Sequence, residues 1–196
     1  MPELNVHEML KKQRQLKPNM EDVLSEYLEG DTKRIALDFI AYLQQNKMKP
    51  MWTAANCWKT VYKGKPIFYI RLASRGDEQT QWYFRTKKPS DMTDWAHSWV
   101  IYPYLNHINE YQDEIIIEGW QSLIWDNLCY CQNCGVGCAP GSTKTIVGKE
   151  VRGLCTCGIH SGHLRVFFVN PDEMAISCIK KLLELERQAR VSNTAK

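Results

Sequence analysis

The chain reads as an α+β protein: an antiparallel sheet packed with helices on one face and interrupted by a cysteine-rich, zinc-stapled insertion. Three observations predict this. Apolar residues recur at helical spacing near both ends of the chain, the period shortens to two between residues 52 and 87, and five cysteines crowd between Cys131 and Cys157. A length of 196 residues, 44% hydrophobic and 24% charged, suits one domain with a substantial core. The expected organisation is an N-terminal helical arm over 1–30, an α+β domain over 31–190 with the insertion at 129–160, and a tail over 191–196.

In the arm, Pro18-Asn19 is a break, and Asn19 is the candidate cap of a helix from Met20 to Leu28. Gly30 ends that segment. Asp31 or Thr32 then caps a stronger helix through Gln45, whose Ile35, Ala36, Phe39, Ile40 and Leu43 form one buried stripe. From Trp52 the pattern becomes a meander over 52–87. Trp58, Thr60 and Tyr62 alternate with Lys59 and Val61, Lys63-Gly64-Lys65 makes the turn, Ile67 to Leu72 returns, and Gln81 to Arg85 is a third strand.

Met92 to Val100 reads as a helix, although Trp95, Trp99 and Tyr102 also suit a strand, and Pro103 interrupts whatever runs there. Asp113 to Asn127 reads as one helix, with Ile116, Trp120, Leu123, Ile124 and Leu128 on one side, and it leads straight into Cys129. Residues 145–147 and 150–152 flank Gly148-Lys149 as a second hairpin, and Leu164 to Val169 is an apolar late strand. Asn170 is the expected cap of the last helix, with Pro171 in its first turn and Glu173 as capping-box partner. Ala175, Cys178, Ile179, Leu182, Leu183 and Leu185 form its apolar face, so Cys178 is a small core residue.

The cysteine run carries the most specific chemistry. Cys131 and Cys134 form a C-x2-C step followed by Gly135, which permits the tight turn that lets two sulfurs converge on one ion. Cys138 follows, and the hairpin at 145–151 returns the chain so that Cys155 completes a tetrahedral set. The expected structural zinc ligands are therefore Cys131, Cys134, Cys138 and Cys155, with Cys157, Cys129 and His160 as alternates. Cys155 and Cys157, two apart, are expected to share an ion only if the backbone turns between them. Four thiolates around a divalent ion leave a net charge of about −2, which Lys144, Lys149 and Arg152 are near enough in sequence to offset. Free reduced thiols or a thiol-redox centre are the competing readings.

All seven tryptophans lie between Trp52 and Trp125. Core filling is the ordinary use of such a set. The functional use is an aromatic binding face, for which Trp58, Tyr62, Tyr69, Arg71, Trp82, Trp95 and Trp99 are the candidates. Residues 57–90 hold eight Lys and Arg against two acids, although the whole chain carries only +3. A nucleic-acid role on this basic hairpin is disfavoured, because no single-strand-binding module is spelled out. No Ser-His-Asp order, Gly-rich phosphate loop, H-E-x-x-H or G-x-S-x-G occurs, and no catalytic residue is assigned. There is no long apolar run to span a membrane and no secretory h-region, so a cytoplasmic setting with reduced thiols is expected.

Three stretches together resemble a family of small, uncharacterised proteins of clostridial-type gut bacteria: Ala54 to Lys59 with Tyr62-Lys63-Gly64-Lys65, Cys131 to Cys155 with its Cys138-Ala139-Pro140-Gly141 and Gly148-Lys149-Glu150, and Asn170-Pro171-Asp172 with Ile179 to Leu182. The element order is more distantly similar to YdhG-like, iron-chaperone-like α+β proteins. That similarity implies one sheet with a shallow ligand groove, and the cysteine insertion departs from it. The function expected is a non-enzymatic module that binds a small molecule or a partner protein. The alternatives are a thiol-redox protein or enzyme using Cys57 or the cysteine cluster, and a nucleic-acid-associated protein using the basic hairpin.

Overall fold

Alternating residues from Cys57 onward form the strands that organise the first part of the molecule. The computed structural model describes residues 6–73, 98–131, 141–155 and 164–192. They include helices α1 (Val6–Leu16), α2 (Met20–Tyr27) and α3 (Gly30–Gln45), then strands β1 (Met51–Ala54), β2 (Cys57–Tyr62), β3 (Lys65–Ala73) and β4 (Ser98–Pro103). Helices α4 (Gln112–Ile117) and α5 (Gln121–Asp126), strands β5 (Ser142–Ile146), β6 (Lys149–Leu154) and β7 (Phe168–Val169), and helix α6 (Glu173–Ser192) follow. A five-stranded antiparallel sheet runs β1-β2-β3-β4-β7, and β5 pairs with β6 separately, so the fold is α+β as expected. Among the described residues, no helix is long and apolar enough to cross a membrane. The third meander strand expected at 81–85 lies outside them.

The chain divides into two compact units. The first comprises residues 1–101 and 169–176. In its sheet Trp58 faces Ile70 and Thr60 faces Phe68 across the β2–β3 register. Residues directly opposite share a face, and all four are buried. Phe39 of α3 packs on this face, its ring 6.0 Å from Phe68 and 6.3 Å from Trp99. Trp99 therefore belongs to a strand, β4, and not to a helix: β4 is buried along its whole length, which suits β-branched and aromatic side chains.

The N-terminal helices are tied down by polar bonds in places where apolar packing alone gives no register. Gln13 is buried and pairs twice with Asn56, its amide donating to Asn56 Oδ1 (2.7 Å) and its Oε1 accepting from the Asn56 N–H (2.7 Å). Asn56 sits in the turn between β1 and β2 at φ 56°, a conformation that asparagine tolerates better than most residues. The Trp58 indole donates to the Pro18 carbonyl at 3.2 Å. At the other end Asn170 (φ 41°) does not cap α6 as expected. Its side chain accepts from Trp99 N–H (2.9 Å) and donates to Ser98 Oγ (3.0 Å), while Asp172 Oδ1 takes the Ala175 N–H and so acts as the cap.

The second unit comprises residues 102–168 and 177–196. The single helix expected over Asp113 to Asn127 is two, and the reason is Gly119. At φ 71° it leaves the helical conformation, with Gly119 N–H bonded to Ile116 O and Trp120 N–H to Ile115 O. This double closure is the Schellman termination that glycine permits. In the β5–β6 turn Val147 is held at φ 48° before Gly148 at φ 74°, a conformation that is strained for a β-branched residue. Asn109 holds it there, donating to Thr145 O (2.8 Å) and accepting from Val147 N–H (3.2 Å).

A buried ionic network fixes the far half of α6 within this unit. Glu186 is fully buried; it accepts from the Tyr111 hydroxyl (2.9 Å) and the His107 N–H (3.2 Å) on one oxygen and from Arg190 Nε (2.9 Å) on the other. Burial first, and the Glu186 carboxylate second, hold the Tyr111 phenol protonated well above its ordinary range. Removing one partner of such a pair strands the other without water, so Glu186→Ala is expected to cost about 3–5 kcal/mol in urea unfolding. Gln13→Ala, which removes two buried hydrogen bonds to Asn56, is expected to cost about 1–3 kcal/mol in the same measurement.

Candidate metal centre

Backbone pairing around Cys129 builds the site. Leu128 bridges Val166 antiparallel and Tyr130 bridges Leu154 antiparallel. Residues 127–131 thus run against two partners in succession, 165–167 and then 153–155. Cys129 is the point of exchange: its N–H donates to Arg165 O (3.1 Å) and its carbonyl accepts from Cys155 N–H (2.8 Å). In a regular antiparallel pair one residue would make both bonds. Here Cys155 and Arg165 divide that role. They stand side by side although ten positions apart in the sequence.

The segment after Cys131 is closed in the same place. Cys131 N–H donates to Gly153 O at 2.7 Å. Gly141, at φ 88°, lies so close to the same peptide that a Cβ there would stand 2.6 Å from Gly153 C and 2.8 Å from Leu154 O. Residues 131 and 141, the ends of one cysteine-bearing segment, and residues 155 and 165, the ends of the other, therefore gather on the short stretch 129–131 and 153–155. Opposite residues share a face, and so do residues two apart in a strand. Cys129, Cys131 and Cys155 accordingly lie on one face of the ribbon, with Tyr130 and Leu154 on the other. Cys129 and Cys155 are buried and Cys131 is half-buried.

Of the four expected ligands, Cys131 and Cys155 lie on the backbone of this ribbon, and of the alternates Cys129 does too. Cys134, Cys138, Cys157 and His160 lie outside the described residues. Among the described residues, no three His, Cys, Asp or Glu side chains are grouped to hold a metal ion, and no disulfide joins any two of Cys57, Cys129, Cys131, Cys155 and Cys178. Two of the three cations expected to offset the sulfurs are engaged elsewhere. Lys149 lies 4.7 Å over the Trp125 ring, Arg152 pairs with Glu150 (2.7 Å), and the exposed Lys144 lines a groove of about 550 Å³ with Asn106, Asn109 and Leu164. The buried cation of the ribbon is Arg165, which is 2% exposed. An arginine in an apolar strand gives no local sign in the sequence of what lies opposite.

The expected aromatic face divides between two sides of the sheet. Trp58 and Trp99 lie inside the core, Trp58 among the residues under α3 and Trp99 against Phe39. Lys59 faces Tyr69 and Cys57 faces Arg71 across the register, on the opposite side. Tyr69 and Lys59 are half-buried, Arg71 is buried, and Tyr62 is half-buried at the end of β2. Trp82 and Trp95 lie outside the described residues. Cys178 is deep in α6, and burial pushes its thiol up to about 12.

The Gly141 contact gives a direct test of this closure. Gly141→Ala puts a methyl into the Gly153 backbone and strains a positive φ, so it is expected to destabilise the protein by at least about 1–2 kcal/mol. Gly64→Ala, where a Cβ meets nothing within 4 Å, bears only the φ penalty and is expected to cost less in the same denaturation experiment. No family model, curated protein or solved structure matches the chain, so the functional reading rests on its own residues.

Proposed function

We propose that the chain is a non-enzymatic binding module whose cysteine-rich segment is ordered by a structural zinc. The ligands are Cys131, Cys134, Cys138 and Cys155, with Cys129, Cys157 and His160 as alternates. The observation that carries this reading is the gathering of both segment ends at Cys129. A tetrahedral thiolate site needs sulfurs from separate stretches within about 4 Å of one another, and a ribbon that collects all four stems supplies the scaffold. Segments of 132–140 and 156–163 are rich in glycine and polar residues. They have little apolar surface to bury, and a bound metal replaces that missing stabilisation. An all-sulfur set leaves no open position for catalysis, which favours a structural role.

The binding surface in this reading is the side of β2–β3 away from α3, where the half-buried Lys59 and Tyr69 present a cationic and an aromatic group to a small molecule or partner protein. Its thiols also support a non-catalytic protein. Cys178 is protonated by its burial, and Cys57 is only 6% exposed. Reduced cysteines of this kind belong to a cytoplasmic setting.

Metal analysis of the purified full chain tests the proposal. Wild type is expected to carry about one zinc per chain, Cys131→Ser and Cys155→Ser to lose it, and Cys57→Ser to retain it. A metal-free wild type, or full zinc in both ligand variants, contradicts the reading.

A further inference from the structure

The outer edge of β5 carries strand hydrogen-bonding groups that are only partly used. β5 and β6 are joined by the two-residue turn Val147-Gly148, so Ile146 and Lys149, which flank it, are the first hydrogen-bonded pair. Pairs then alternate, and Thr145, opposite Glu150, points its N–H and C=O away from β6. The observed bonds agree. The Thr145 carbonyl accepts from the Asn109 amide (2.8 Å), and the Val147 N–H donates to Asn109 Oδ1 (3.2 Å). Asn109 thus closes the edge on the turn side. The Thr145 N–H, on the same edge, has no hydrogen bond among the described residues. It lies where a further strand would place a carbonyl.

The groove of about 550 Å³ adjoins this edge, because Lys144, Thr145 and Ile146 of β5 line one side of it. Its apolar lining is Leu105, Ile108, Ile146 and Leu164, each 6% exposed or less. That volume is in the range of sites that hold a small molecule or a few residues of peptide. Lys144 and Ile146, two apart in one strand, share a face. Lys144 is exposed and makes no ion pair among the described residues, whereas Lys149 and Arg152 of the same hairpin are engaged with Trp125 and Glu150. One groove therefore combines a backbone donor at a strand edge, a cation and an apolar wall, all within the second unit.

We propose that this groove is a peptide-docking site. An extended, acidic segment of a partner protein adds to the β5 edge, its backbone carbonyl accepting the Thr145 N–H, an acidic side chain answering Lys144 and apolar side chains covering the wall. Strand addition of this kind takes its affinity from main-chain bonds and its selectivity from side-chain contacts. Three features select the occupant. The edge donor calls for extended backbone. The cation calls for an acid, since opposite charges on neighbouring strands attract and like charges repel. A second copy joined through its own β5 edge would bring two Lys144 side chains together, so the occupant is a different chain. The site uses neither the cysteines nor the β2–β3 surface, and it stands or falls apart from them.

A displayed library of short random peptides, panned against the full-length protein, tests this. Recovered peptides are expected to carry an acidic residue among β-branched or aromatic ones, and a synthetic copy of the most enriched is then titrated by fluorescence anisotropy. Thr145→Pro deletes the outward donor without touching the β5–β6 ladder, since edge strands tolerate proline where the N–H faces outward. It is expected to weaken binding about three- to tenfold. Lys144→Glu is expected to weaken it as well, and a peptide with its acid changed to lysine to regain binding to that variant. In wild type the bound peptide should slow hydrogen exchange at the Thr145 amide, a readout that holds even if Thr145→Pro does not fold. Equal binding by both variants, an unprotected Thr145 amide in saturated protein, or a panning that enriches no peptide overturns the proposal.

Discussion

The backbone of a single residue organises the cysteine-bearing part of the second unit. Cys129 offers its N–H to Arg165 and its carbonyl to Cys155, so that those two residues stand side by side. Two backbone bonds are modest in isolation, on the order of 1 kcal/mol each. Their consequence is topological. They fix the ends of a long excursion side by side, and the contact of Gly141 with Gly153 does the same for the preceding one. Every stretch that bears a candidate ligand in this region is anchored within a few residues of the others.

The same logic of polar pins runs through the rest of the fold. Gln13 fixes α1 on the Asn56 turn, Asn170 fixes β4, Asn109 fixes a strained Val147, and Glu186 collects Tyr111, His107 and Arg190. Apolar burial stabilises both units without specifying register. Each of these amides and carboxylates is satisfied in only one arrangement, so each converts general burial into a particular alignment. The zinc reading extends this pattern to a segment too polar to order itself by burial.

Much of the architecture was legible in the sequence. The α3 stripe, the Lys63-Gly64 hairpin, the hairpin around Gly148 and the last helix all follow from period and turn chemistry, because each is a local property. The errors have local causes as well. Gly119 falls inside the single helix that periodicity predicts although glycine is the usual terminator, and Trp99 is ambiguous because a run buried on both sides lacks alternation. Asn170 looked like a cap because caps and strand clamps use the same short amide, and only the tertiary partner distinguishes them. The candidate site was half legible. Cysteine spacing pointed to the region, but the division of one pairing position between Cys155 and Arg165 is a long-range event. No window of sequence contains it.

The cations near the cysteines in sequence are placed by other contacts. Lys149 and Arg152, adjacent in sequence to the cysteines, are turned to Trp125 and Glu150. Arg165, remote from Cys129 in sequence, meets it through its backbone carbonyl and is 2% exposed.

X-ray absorption at the zinc edge of the metal-loaded protein tests the central claim most directly. The account predicts a single shell of four sulfur scatterers at about 2.3 Å. A shell of nitrogen or oxygen atoms, or fewer than three sulfurs, would contradict it.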